Sequence, residues 1–220
     1  MHLLTMSREF DSVVSTYQAL SACVLRTLHL SIRTAILYSL NTSVLPAITI
    51  DSLLGDPDPA ILTLNAQLVA FDTEVSTYIP AASYTLITSG LGALMDIYLL
   101  SLCTSKLEDM NANGCALMQL NMLVLQQNLK NIEDGAALPS VALFFDLFTA
   151  GPEAIVARAK EHGRGFGLQG LAKEMFTQEK VKRLLELTYK ERLSDERREA
   201  VVQAQRDRDA QLLEISEFMY

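Results

Sequence analysis

The chain has 220 residues, half of which are hydrophobic, and its net charge is −8. This length is sufficient for one large or two small domains whose core needs neither disulfides nor a structural metal. The acidic balance argues against a general nucleic-acid-binding protein, because such a protein needs a basic surface to meet the phosphates.

Charge divides the chain into two parts. Residues 1–150 contain 5 Lys or Arg and 13 Asp or Glu, whereas residues 151–220 contain 13 of each kind. We therefore expect an apolar, mostly buried helical bundle over residues 1–150. Over residues 151–220 we expect a charged C-terminal portion of the bundle, continuous with the first and with a wide solvated face.

No segment alternates apolar and polar residues as a strand would, so the predicted elements are helices. Helix-breaking residues indicate where the first three of them begin and end. A long helix is predicted from Ser7 to Leu45. Asp58 and Pro59 predict the N-cap and first position of a second helix, which continues to Ile79.

A third helix is predicted to run unbroken from Ala81, just after Pro80, to Asp109. It would contain Gly90 and Gly92, each of which costs about 1 kcal/mol relative to Ala inside a helix. We expect the close approach of a neighbouring helix to compensate for that cost; the alternative is a functional hinge at the two glycines.

The fourth predicted helix, from Asn113 to Ile132, is the most regular. Apolar residues alternate between four- and three-residue spacing on one face, and these predicted core residues are Met118, Met122, Leu125, Leu129 and Ile132. Asn121 and Asn128 fall between this stripe and a second apolar one. Both are predicted to be largely buried and hydrogen-bonded.

The last four predicted helices carry more charge towards the C-terminus. They are a short aromatic helix from Pro139 to Thr149, a helix from Pro152 to His162, one capped by Thr177 and one capped by Ser194. Val181, Leu184, Leu185 and Thr188 are predicted to face inward in the helix that Thr177 caps.

The final helix is polar in its middle, where Arg208 interrupts an apolar stripe. One interpretation is a solvated helix with opposite charges interspersed. The other is that its arginines face a partner or an acidic membrane, and the candidate interaction residues are then Arg197, Arg198, Arg206 and Arg208. The neighbouring acidic residues weaken the interpretation that these arginines face an acidic membrane.

No motif predicts catalytic, cofactor-binding or metal-binding residues. The glycine pattern Gly165–Gly170 follows a helix rather than a strand, so a loop is expected instead of a nucleotide site. His2, His29 and His162 have no ligand spacing. The three cysteines, Cys23, Cys103 and Cys115, are predicted to be buried reduced thiols of a cytosolic protein.

Membrane segments and a signal peptide are not expected. The uncharged runs Val75–Met95 and Met110–Leu129 contain a proline or many amide side chains, which are poorly tolerated against lipid. The N-terminus lacks the basic region and apolar stretch of a signal peptide.

Several segments, taken in order, resemble the C-terminal region of one family. The strongest is Val124–Ile132; the others are Cys23–Leu30, Asp56–Asp58 with Leu64–Asn65, Ser89–Leu94, Phe144–Phe148 and Lys182–Tyr189. Their order and spacing are similar to those of the Sec-eight family of exocyst subunits, also called exocyst component four, with features of fungal members. Gly163–Gly170 and the last residues depart from the animal pattern. Because the family's subunits are several times longer, the chain is expected to correspond to part of one.

This resemblance implies an all-α fold of elongated, stacked helical bundles, as in multisubunit tethering complexes. It implies a non-catalytic scaffold that helps to dock secretory vesicles at the plasma membrane before fusion. The partners would be other exocyst subunits, without nucleic acid, small-molecule substrate or cofactor. The location would be cytoplasmic, with recruitment to sites of exocytosis and only indirect membrane association through the complex. The alternative function is a peripheral lipid-binding module or another helical adaptor.

Overall fold

The computed structural model describes residues 2–51, 55–163, 166–168, 173–174, 176–193 and 197–219. Over these residues the fold is all-α, as predicted, apart from one pair of two-residue strands. The elements are α1 (His2–Ser43), β1 (Ala47–Ile48), α2 (Pro59–Tyr78), α3 (Ala81–Thr88), α4 (Leu91–Ser105), β2 (Asp109–Met110), α5 (Ala112–Ile132), α6 (Pro139–Ala150), α7 (Pro152–His162), α8 (Gln178–Leu193) and α9 (Arg198–Phe218).

The long helix α1 has two different halves. Its C-terminal half packs against α2, α3 and α4, and Ile32, Ile36 and Leu40 are buried there. From Arg8 to Val24 every residue is exposed. The expectation that the first 150 residues form mostly buried helices is therefore wrong for the first half of α1, because nothing within the described residues covers it.

The start of α2 follows the predicted cap. Asp58 accepts a hydrogen bond from the backbone N–H of Ala60 at 2.7 Å, and Pro59 occupies the first turn, where its missing N–H costs nothing.

The single helix predicted from Ala81 to Asp109 is wrong, because α3 ends at Thr88 and α4 begins at Leu91. Gly90 lies between them in the left-handed region, with φ +80°. A neighbour does approach Gly92 closely, since a Cβ there would lie 3.2 Å from the Cβ of Ala136, in the loop after α5.

Two side chains from distant parts of the chain stabilise the break. Arg33 on α1 donates to the carbonyl oxygens of Ile87, at 2.8 Å, and Ser89, at 2.6 Å. The carboxylate of Glu133 accepts from the backbone N–H groups of Gly90 and of Gly92, the latter at 2.8 Å. Backbone groups freed by the break thus find partners across the fold.

Helix α5 lies against α2, α4 and α6. All five of its predicted core side chains are at most 6% exposed. Asn121 is buried, and its Oδ1 accepts from the backbone N–H of Asp58 at 2.9 Å. Asn128 is half-buried and donates to Asn65 on α2.

The strand pair joins two connections. β1, after α1, pairs in parallel with β2, before α5, so that Ile48 lies beside Met110. The side chain of Asn111 extends this contact, accepting from the backbone N–H of Ile50 at 3.2 Å and donating to its carbonyl oxygen at 2.9 Å. Strands of two residues are too short to show an alternation of apolar and polar residues, so the sequence does not predict them.

Helices α7, α8 and α9 pack together, α7 and α8 contact α6 of the apolar part, and α8 also contacts α4. Val181, Leu184 and Leu185 are buried, while Thr188 is half-buried. The predicted cap Ser194 and half of the stretch Gly165–Gly170 lie outside the described residues.

The cysteines do not share one environment. Cys103 and Cys115 are buried, but Cys23 is exposed on the first half of α1, so its predicted burial is wrong. Burial raises the pKa of Cys103 to about 12. Burial also raises the pKa of Cys115, against a smaller opposing effect of its hydrogen bond with Thr149.

Two stretches, Arg8–Ser43 and Ala81–Ser105, are long and apolar enough to cross a membrane by length and composition alone. In the second, which is the broken α3–α4 pair, 56% of the most apolar window is buried inside the structure; in the first, the figure is 11%. The core helices of a folded domain can also be this long and apolar. The α3–α4 pair is such a core element, because more than half of its most apolar window is buried.

Candidate interaction surface

Helix α9 closes one side of the charged group of helices. Ala204 and Ile215 on its inner face are buried, and so is Met219, the residue that follows the helix. Its principal neighbour is α8, and the hydroxyl of Tyr189 on α8 donates to Gln211 at 3.0 Å. The packing of α9 on α8 determines which residues of α9 face outward.

Arg208 lies towards the inner side and is half-buried. Its Nε and Nη2 donate to the same carboxylate oxygen of Asp209, at 3.0 and 2.8 Å. The charge that interrupts the apolar stripe is therefore paired locally on the helix.

Arg198 and Arg206 are exposed, and neither forms a hydrogen bond or ion pair with another of the described residues. They are eight positions apart, so they lie on one side of α9, together with exposed Val202 and with Leu213, which is 68% exposed. We call Arg198, Val202, Arg206, Asp209 and Leu213 the α9 outer face. Arg197 stands at the N-cap position, so the four predicted arginines do not form one patch.

Two acidic residues on or near the outer face already accept hydrogen bonds from side chains of the same helix. Asp207 accepts from the side chain of Gln203 at 2.8 Å, and Asp209 is bound by Arg208. The outer face therefore combines exposed guanidinium groups with apolar side chains, a composition that suits contact with a protein surface.

A cleft of about 280 Å³ lies where α4 meets the loop between α5 and α6, and Asp96 and Glu133 line it. Both carboxylates accept backbone N–H groups: Glu133 at the start of α4, and Asp96 at the start of α6. Among the described residues no group of three or more His, Cys, Asp or Glu is placed to hold a metal ion. Asp96 and Glu133 of this cleft thus hold helix starts in place.

A second exposed surface, which the sequence did not predict, lies on the first half of α1. Phe10, Val13, Tyr17, Leu20 and Val24 on α1 are all exposed, and we call them the α1 stripe. They alternate between three- and four-residue spacing, the pattern of a helix seam that packs against another helix. That spacing is readable from the sequence; what the sequence does not show is that the fold leaves the stripe uncovered.

Comparison with known proteins places the chain among exocyst components. It is 35% identical to the probable exocyst complex component sec8 of Neurospora crassa, over 96% of the chain and 22% of that protein. It is 26% identical to the exocyst complex component sec8 of Schizosaccharomyces pombe, over 69% of the chain and 14% of that protein. The chain thus spans about a fifth of the length of the Neurospora relative. No family model matches it.

The match to the Neurospora protein extends along nearly the whole chain, and the second relative carries the same name. An all-α fold built on α5, with Val124–Ile132 at the end of that helix, agrees with the resemblance seen in the sequence. The chain belongs to the sec8 family of exocyst complex components.

Proposed function

We propose that this chain is a non-catalytic scaffold region of an exocyst subunit. In this role it supplies docking surface for other exocyst subunits, which together tether secretory vesicles at the plasma membrane before fusion. It would act in the cytoplasm and reach the membrane through the complex. The relatives named as exocyst components are the observation that carries the proposal.

The α9 outer face is the surface that we assign to docking, with Arg197, Arg198, Arg206 and Arg208 as the interaction residues predicted from the sequence. Arg198 and Arg206 are the two whose exposure supports direct contact with a partner. Arg208, bound to Asp209, would contribute indirectly by holding that carboxylate. We also propose that residues 1–150 and 151–220 act as one continuous bundle, since α8 packs on α4 and α6.

A direct lipid-binding role receives less support. Anionic lipid attracts clusters of Lys and Arg, whereas α9 interleaves its arginines with Glu199, Asp207, Asp209 and Glu214. We therefore place the membrane one step away, behind the partner subunits.

The test replaces Arg198 and Arg206 together with Glu. Both side chains are exposed, so the fold should lose little stability, within about 0.5 kcal/mol for each change. Recovery of the other exocyst subunits on the tagged chain should fall, because charge reversal opposes an acidic partner. Arg26→Glu, an exposed reversal on α1, is the matched control.

Unchanged recovery with an unchanged melting temperature would exclude the α9 outer face as the docking site. Assembly of the complex at wild-type level after removal of all 220 residues would remove the docking role altogether.

A further inference from the structure

We draw no further inference here: the strongest candidate, the exposed apolar α1 stripe on the N-terminal half of α1, carries none because nothing among the described residues shows what covers it.

Discussion

Asn121, in the middle of α5, accepts a hydrogen bond from the backbone N–H of Asp58, 2.9 Å away, and Asp58 is the N-cap of α2. One buried amide thus fixes the position of the residue that starts a neighbouring helix. The two residues are 63 positions apart, so the contact belongs to the tertiary structure.

Replacement of Asn121 by Ala should lower the free energy of unfolding by about 1–3 kcal/mol, because the Asp58 N–H then loses its partner in a part-buried position. Gln127→Ala, at an exposed position of the same helix, should change it by less than about 0.5 kcal/mol. Urea denaturation of both variants measures the difference. Equal midpoints would show that the amide contributes no stability through this contact.

Glu133 should be needed for the break between α3 and α4. Glu133→Ala removes the acceptor for the N–H groups of Gly90 and Gly92, and we expect a loss of about 1–2 kcal/mol, within the range for lost helix caps. Asp134→Ala, one residue away and exposed, is the control. Thermal melts followed by circular dichroism compare them, and a greater loss in the Asp134 variant would contradict the assignment.

Asp96 should be important for the start of α6. It is 4% exposed, and its Oδ1 accepts from the backbone N–H groups of Ser140 and Val141, each at 3.0 Å. Asp96→Ala leaves both groups buried without a partner, for an expected cost of about 2–4 kcal/mol.

Ser140→Ala is the matched control for that change. The Ser140 Oγ is buried and has no hydrogen-bond partner among the described residues, so its removal should be neutral or slightly stabilising. Guanidinium denaturation curves give both values. A loss on Ser140→Ala that equals the loss on Asp96→Ala would refute this account of the helix start.

Gly114→Ala should lower the free energy of unfolding. Helix propensity alone predicts the opposite, an increase of about 1 kcal/mol for this change in a helix interior. A Cβ at Gly114 would lie 1.9 Å from the backbone carbonyl oxygen of Ile48, so the strand pair must move. Gly55→Ala, where a Cβ meets nothing within 4 Å, should be close to neutral. A higher melting temperature for the Gly114 variant would show that the β1 contact is loose.

Alkaline pH should destabilise the fold through Cys103. Burial raises its pKa from 9.0 to about 12, so between these values the folded state keeps a proton that the unfolded state releases. The stabilisation is complete below pH 9 and is lost as the pH rises, with a slope of up to about 1.4 kcal/mol per pH unit.

Cys103→Ala should therefore flatten the dependence of stability on pH above 9, whatever its effect at neutral pH. Cys23→Ala, the same substitution at an exposed position, should leave the slope unchanged. The pKa of Tyr84 is raised by burial and by its hydrogen bond to Asp72. Tyr84 therefore also lowers the free energy of unfolding at alkaline pH, and it does so equally in every variant. Urea titrations between pH 8 and pH 11 measure the slopes, and parallel curves for wild type and Cys103→Ala would contradict the prediction.

Local sequence determined much of the helical arrangement. Asp58 and Pro59 mark the start of α2 by cap chemistry that acts within one turn. The spacing of Met118 to Ile132 places one face of α5 towards a core, because a helix with such a stripe is stable only when the stripe is covered. These signals depend on neighbours three or four residues away, and they can be read without knowledge of the fold.

Only the tertiary structure decided the features that depend on distant partners. Gly90 interrupts a continuous helical pattern because Arg33 and Glu133, far away in the chain, satisfy the freed backbone groups. Arg206 faces solvent while Arg208 lies towards the bundle, and the packing of α9 on α8 separates them. Periodicity can show that the α1 stripe and the core stripe of α5 are both apolar, but which of them is covered depends on where the other helices pack.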